Sequence, residues 1–283
     1  MESPPAAPDA RPRSGLDAVG GPDDPTLAWE EIPDDRRDVS AILNVFRMMG
    51  AWLILAFFGS LSLFLATIGV DGFWVLCHPM AWWGAAEMWW LGVSYDLEGA
   101  EKLPRSGPFI VVANHQSLLE VFVYGSMGRP FVYIMKKEFA RIPFLGWFLK
   151  QIGQVFLDRA DRASAIASLN QAVERLREGK HILIFPEGTR RPHGTLGPFK
   201  KGAFHLAIQS HVPVIPLAML NSGSLLPAKS LSFRPGVVRM VVCDPIDTTG
   251  WREETLDDHL VQVRKALAVP LARYRESLGK KGL

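Results

Sequence analysis

No charged residue interrupts the stretch from Met48 to Val70. As a helix rising about 1.5 Å per residue, it would cover the roughly 30 Å hydrocarbon core of a bilayer. Helices buried in globular cores seldom run beyond about 18 uncharged apolar residues, so membrane insertion is expected here. A second apolar stretch, Phe73 to Val93, carries His78, Pro79 and Glu87 together with Trp74, Trp82, Trp83, Trp89 and Trp90. Indole rings favour the headgroup level of a bilayer. Basic residues flank the pair on both sides, Arg36, Arg37 and Arg47 before it and Lys102 and Arg105 after it. The positive-inside tendency puts both flanks in the cytoplasm. The expectation is a membrane-embedded helical hairpin over residues 41–93 that enters and leaves the same leaflet of the cytoplasmic membrane, with the rest of the chain facing the cytoplasm.

Residues 1–40 are rich in Pro, Gly, Ala and Asp without periodicity, the composition of a disordered tail that cannot bury enough apolar surface to fold. The apolar run begins too late for a cleaved secretory signal. Residues 94–283 suffice for one medium-sized domain. There the pattern changes to short β-branched runs at Phe109 to Ala113, Phe131 to Met135, Gln154 to Leu157, His181 to Phe185, Val212 to Leu220 and Val237 to Cys243. Helical segments separate them. In Ala163 to Glu178, Ile166, Leu169, Val173 and Leu176 recur at helical spacing before Gly179, and Leu256 to Leu278 is an amphipathic helix that Pro270 is expected to kink. This alternation predicts an α/β fold with a largely parallel sheet flanked by helices, preceded by the hairpin.

The formal charge of +2 and pI of about 8.6 fall short of the basic balance of nucleic-acid binders, roughly pI above 9, so no nucleic-acid partner is expected. Cys77 and Cys243 stand far apart in apolar stretches, unlike a disulfide framework or a metal-ligand pair, which fits a reducing compartment.

Directly after the strand Phe109 to Ala113 comes Asn114-His115-Gln116-Ser117-Leu118-Leu119-Glu120. A histidine at the carboxyl end of a strand stands where open α/β sheets place their ligands. With Ser117 capping a helix from Leu118, Glu120 falls in the first turn and reaches back toward the imidazole. A carboxylate there fixes the tautomer and stabilises the imidazolium formed when His115 takes a proton. No Gly-x-Ser-x-Gly elbow occurs and neither cysteine is placed for attack, so the expected nucleophile is a hydroxyl of the substrate.

Phe185 to Arg190 follows another strand, and its Pro-Glu-Gly turn aims Glu187 and Arg190 at the same sheet edge, with Gly188 and Thr189 between them. Arg190 offers the planar fork that suits phosphate. Lys136 and Lys137 end the strand Phe131 to Met135, and Lys200 and Lys201 precede an apolar helix whose amino end attracts anions. An anionic headgroup is the expected ligand. Judged singly, a lone histidine near a strand end is more often structural, and paired lysines are more often solvated charges. The six histidines other than His115 are read as structural or surface residues.

Taken together, these residues resemble the glycerolipid acyltransferase family, the bacterial 1-acylglycerol-3-phosphate acyltransferases in particular. Asn114 to Glu120 looks like the family's His-x-x-x-x-Asp block, and Lys136 to Pro143 with Gly146 and Trp147 like its second. Phe185 to Arg190 looks like the third and Val212 to Pro216 like the fourth; the run Pro198 to Phe204 is also similar. The resemblance covers about Tyr95 to Pro245, with the blocks in order. It implies a general base, His115, supported by Glu120, that deprotonates the free hydroxyl of 1-acylglycerol-3-phosphate for attack on an acyl thioester, giving phosphatidic acid. Glu187, Gly188, Thr189 and Arg190 would bind the glycerol phosphate, with Lys137 as a further contributor. The donor would be acyl-CoA or acyl-carrier protein, its chain along the membrane-facing surface among membrane lipids; neither metal nor prosthetic group is implied. One departure is Glu120, where the family usually has Asp; the extra methylene shifts the carboxylate by about 1.5 Å. Other acceptors in the same class are a different lysophospholipid or an acylated amino-acid lipid. An acyl-thioester hydrolase, with His115 activating water, is the rival from another class, though it has no use for Arg190. A catalytically silent lipid-binding protein is the third reading.

Overall fold

A computed structural model describes residues 39–142, 145–158, 162–228 and 230–279. Most of the expected tail, and Pro143 of the second block, lie outside the described residues. The chain runs through α1 (Ala41–Thr67), α2 (Gly72–Cys77), α3 (Pro79–Leu91), β1 (Val93–Glu98), β2 (Ile110–Ala113), α4 (Leu119–Ser126), β3 (Phe131–Lys136), α5 (Leu145–Gln151) and β4 (Val155–Leu157). It continues through α6 (Arg162–Arg177), β5 (His181–Ile184), α7 (Gly202–Ser210), β6 (Val214–Met219), α8 (Ser222–Leu225), β7 (Gly236–Val242) and α9 (Leu256–Gly279).

The seven strands form one sheet in the order β1-β7-β6-β2-β5-β3-β4. Every pairing is parallel except β6 with β7, as the strand–helix alternation predicts. Central β2 is wholly buried, with Ile110, Val111, Val112 and Ala113 all inaccessible. A parallel strand covered by helices on both faces reads as a continuous apolar run, and this one does. β2 and its neighbour β5 therefore carry the His115 and Glu187 blocks out of the same carboxyl edge of the sheet.

Three elements add to what the sequence leads one to expect. β1 was not among the expected strands; it is an edge strand whose sequence exposes most of its side chains, so it lacks the apolar signal that marked the others. The helix α9 continues through Pro270. Proline has no N–H for the carbonyl of Ala266 four residues earlier, and that carbonyl instead accepts from the Cys243 thiol at 3.3 Å.

The third concerns the hairpin. Among the described residues only α1 is long and apolar enough to cross a membrane, and it exposes Ile42, Phe46, Trp52, Leu53, Phe57 and Phe64. The second arm is divided at His78 and Pro79 into α2 and α3, and α3 packs on α4 of the sheet domain. Gly84 makes that approach possible: a Cβ there would stand 2.5 Å from the Phe122 carbonyl oxygen. Trp83, Glu87 and Met88 are buried, and the Trp83 indole donates to the Glu87 carboxylate at 3.0 Å. An apolar stretch records that its face is covered, not whether lipid or protein covers it, and here protein covers much of the second arm.

Candidate active site

Three side chains fasten the turn after β2 to the end of β6 and the segment that follows it. The Asn114 amide donates to the Met219 carbonyl at 2.9 Å and accepts from the Met219 N–H at 2.7 Å. Gln116 also donates to the Met219 carbonyl, at 2.9 Å, and its own carbonyl oxygen accepts from the Gly223 N–H at 3.3 Å. The Ser117 hydroxyl donates to the Leu226 carbonyl at 2.8 Å and accepts from the Leu119 N–H at 3.2 Å; the N-cap of α4 is Leu118, so Ser117 stands one residue ahead of the expected cap position. Buried polar groups with every partner in place define one geometry, because each alternative leaves a group unpaired at a cost of about 1–3 kcal/mol.

Within this frame His115 Nδ1 lies 2.5 Å from Glu120 Oε2. The other oxygen, Oε1, accepts from the Gln116 N–H at 2.8 Å, the Ser117 N–H at 2.9 Å and the Ser222 hydroxyl at 2.7 Å. The Glu120 side chain is fully buried while the His115 ring is 19% exposed. The ring stacks on Phe185, centroids 4.1 Å apart and planes 17° apart. With Nδ1 committed to a carboxylate, Nε2 is the nitrogen left for proton transfer, and no described residue bonds it.

The third block, Phe185 to Arg190, turns as its sequence requires. Gly188 has φ +69°, a conformation that suits glycine, and its N–H closes the turn on the Phe185 carbonyl at 3.0 Å. Glu187 is buried, and its two oxygens accept from the His115 N–H at 3.0 Å and the Gly197 N–H at 2.8 Å. Burial pushes its carboxyl up to about 7, against the pull of those two amides and of the Arg191 charge. One oxygen thus braces the His115 turn and the other the loop at Gly197, and neither is left without a backbone partner. The expected anion ligands are arranged differently: Thr189 and Arg190 are exposed beyond the turn, and Arg190 makes no ion pair with a described residue.

Lys137 is drawn into an ion pair with Asp158 at the end of β4, so its charge is already matched. Lys201 is paired with Asp257 at 2.8 Å. Sequence reasoning missed Arg191, whose N–H donates to the His115 carbonyl at 2.8 Å. Its Nε stands 3.5 Å from Glu187 Oε2, an ion-pair contact without hydrogen-bond geometry. It also missed Ser222, which carries no local signal, being 102 residues from Glu120.

An apolar cavity of about 360 Å³ is lined by Leu118, which follows the His115 turn, and walled by Trp52 and Leu55 of α1, Trp83 of α3, Phe122 of α4, and Phe148 of α5. That volume is within the usual range for ligand pockets, about 300–1,000 Å³.

A largely parallel sheet thus presents a buried carboxylate–histidine pair at its carboxyl edge. Residues 94–220 match the Acyltransferase family model. A relative from Saccharomyces cerevisiae, named 1-acyl-sn-glycerol-3-phosphate acyltransferase, is 38% identical over 178 residues, 62% of this chain and 58% of that one. A protein of the same name from Pseudomonas aeruginosa is 34% identical over 152 residues, 53% of this chain and 58% of that one. The match thus spans less than two thirds of these relatives' own length. The crystal structure of the 1-acyl-sn-glycerophosphate (LPA) acyltransferase PlsC from Thermotoga maritima superposes with a TM-score of 0.69 at 29% identity, covering 83% of this chain and 97% of that one.

Proposed function

We propose that this chain transfers a fatty acyl group from an acyl thioester to the free hydroxyl of 1-acylglycerol-3-phosphate, forming phosphatidic acid. The observation that carries this reading is the 2.5 Å contact of His115 Nδ1 with buried Glu120, which leaves Nε2 open at the carboxyl edge of the sheet. His115 Nε2 takes the proton of the acceptor hydroxyl as its oxygen attacks the thioester carbonyl. Glu120 holds the Nδ1–H tautomer and stabilises the imidazolium that results. As the tetrahedral adduct collapses the C–S bond breaks, and the leaving thiolate of CoA or carrier protein recovers the proton from Nε2. Arg190, exposed next to the braced turn, meets the phosphate. The apolar cavity beside Leu118 takes an acyl chain. The names of the relatives support the acceptor assignment.

The domain works at the cytoplasmic face of the membrane. Asn44, near the start of α1, exchanges hydrogen bonds with Ser232 and Phe233 at 3.2 and 3.1 Å, and the Arg47 guanidinium donates to the Phe233 carbonyl at 2.7 Å. The amino end of α1 is thereby fixed to the catalytic domain, which favours a chain that dips into one leaflet and returns over one that crosses once and leaves its domain on the far side.

The test is transfer of labelled acyl groups from acyl-CoA and from acyl-carrier protein to lysophosphatidic acid in mixed micelles, alongside His115→Ala. Phosphatidic acid from the wild type alone supports the reading. Free fatty acid as the main product moves it to a hydrolase, and turnover only with another lysophospholipid or an acylated amino-acid lipid replaces the acceptor.

A further inference from the structure

Ser222 is the first residue of α8 and is completely buried. Its hydroxyl donates to Glu120 Oε1 at 2.7 Å. Two residues on, Ser224 shows what a buried serine ordinarily does in a helical turn: its hydroxyl donates to the carbonyl three residues back, that of Asn221, at 2.9 Å. Ser222 instead reaches a carboxylate from a different part of the chain. The contacts from the 219–226 segment onto the side chains of Asn114, Gln116 and Ser117 all involve its backbone. The Ser222 hydroxyl is the side chain from that segment that meets the dyad.

We propose that Ser222 is a positioning residue of the acid–base dyad, holding the glutamate carboxylate in the rotamer that keeps Oε2 on His115 Nδ1; this rests on the reading of His115 and Glu120 given above. The longer side chain explains the need. A glutamate has one more rotatable bond than an aspartate, and its carboxylate stands about 1.5 Å further from the backbone. The Gln116 and Ser117 amides grip Oε1 from one side. They belong to the same turn as His115, so they move with it and fix the carboxylate only locally. Ser222 ties Oε1 to the β6 side of the sheet and removes the remaining swing. Hydrogen bonds to charged groups are the stronger ones, and losing a group that orients a general base costs rate rather than binding.

The experiment measures kcat and KM of the full-length enzyme in mixed micelles, with oleoyl-CoA and 1-oleoyl lysophosphatidic acid as probes. The variants are Ser222→Ala, Ser222→Thr, Glu120→Asp, the double variant and His115→Ala, with thermal melts for each. The expected result is a kcat about 10- to 100-fold lower in Ser222→Ala with KM unchanged, and recovery in Ser222→Thr, which keeps the hydroxyl. In the Glu120→Asp background the shorter carboxylate no longer reaches Ser222, and the same change costs less than about threefold. Should the alanine variant not fold, Ser222→Cys keeps the volume with a weak donor and carries the same expectation. A wild-type kcat in Ser222→Ala or Ser222→Cys, with His115→Ala inactive, overturns the proposal and leaves the dyad standing. So does a loss that appears mainly in KM or melting temperature, or one of equal size in both backgrounds. Activity in His115→Ala overturns the dyad reading, and this proposal with it.

Discussion

The neighbouring strands β2 and β5 carry a histidine stacked on a phenylalanine at each end. At the carboxyl end His115, just past β2, lies on Phe185, just past β5, with centroids 4.1 Å apart. At the amino end His181, the first residue of β5, lies on Phe109, just before β2, with centroids 3.8 Å apart. The stacking is nearly the same, and the electrostatics are opposite. His115 Nδ1 meets a buried carboxylate at 2.5 Å, whereas His181 Nδ1 is buried without a hydrogen-bond partner among the described residues. Burial first, and the nearby Arg129 charge second, depress the His181 imidazole to about 4. An aromatic platform therefore places an imidazole, and what surrounds Nδ1 differs between the two ends.

The largest effect that sharpens this contrast is on activity. His115→Ala removes the imidazole proposed as general base and is expected to lower acyl transfer by about 10²- to 10⁴-fold with a nearly unchanged melting temperature. His181→Phe, which keeps an aromatic ring on Phe109, leaves transfer at the wild-type level. An inactive His181→Phe enzyme that still melts like the wild type would break the comparison, because the amino end of the strand pair would then take part in the reaction.

The next effect is on stability against pH. A histidine whose folded pKa is depressed binds its proton more readily in the unfolded chain, so stability is lost as pH falls from about 6.5 toward about 4. For His181 the loss amounts to at most about 3 kcal/mol at the acid end. Melting curves across that window should show a steeper acid decline in the wild type than in His181→Phe; equal slopes would mean that the ring finds a partner on protonation.

Arg190 gives a smaller effect, confined to substrate binding. Arg190→Ala is expected to raise KM for lysophosphatidic acid about 10- to 100-fold, the equivalent of about 1.5–3 kcal/mol for a charge-assisted contact, with a smaller change in kcat. A fall in kcat alone would place the guanidinium on the reacting centre instead of the phosphate.

These contrasts follow the division between what the sequence announces and what it conceals. The His115 and Phe185 blocks stand at strand ends with short-range spacing, so the dyad and the Gly188 turn were legible from local order. Ser222 was not, because a single serine 102 residues away has no pattern of its own. The sequence shows the charge of Lys137 but not its counter-charge, which Asp158 supplies. The stretch from Phe73 to Val93 announced its hydrophobicity correctly and its cover incompletely, since the Gly84 contact with α4 is a matter of fit.

The smallest effect tests the platform itself. If the Phe185 ring only orients His115, then Phe185→Leu should remove a contact of about 0.5–1.5 kcal/mol and lower kcat by roughly 2- to 10-fold, leaving KM in place because the carboxylate contact persists. The equivalent change at the other end, Phe109→Leu, removes a ring that is fully buried and packs against Phe131 as well as His181. It should therefore cost stability and spare kcat. Opposite signatures from the two leucine variants, measured as kcat and melting temperature, are what a shared platform with different Nδ1 partners requires; a matching loss of kcat in both would mean that the strand pair transmits packing from one end to the other and that the two histidines are not independent.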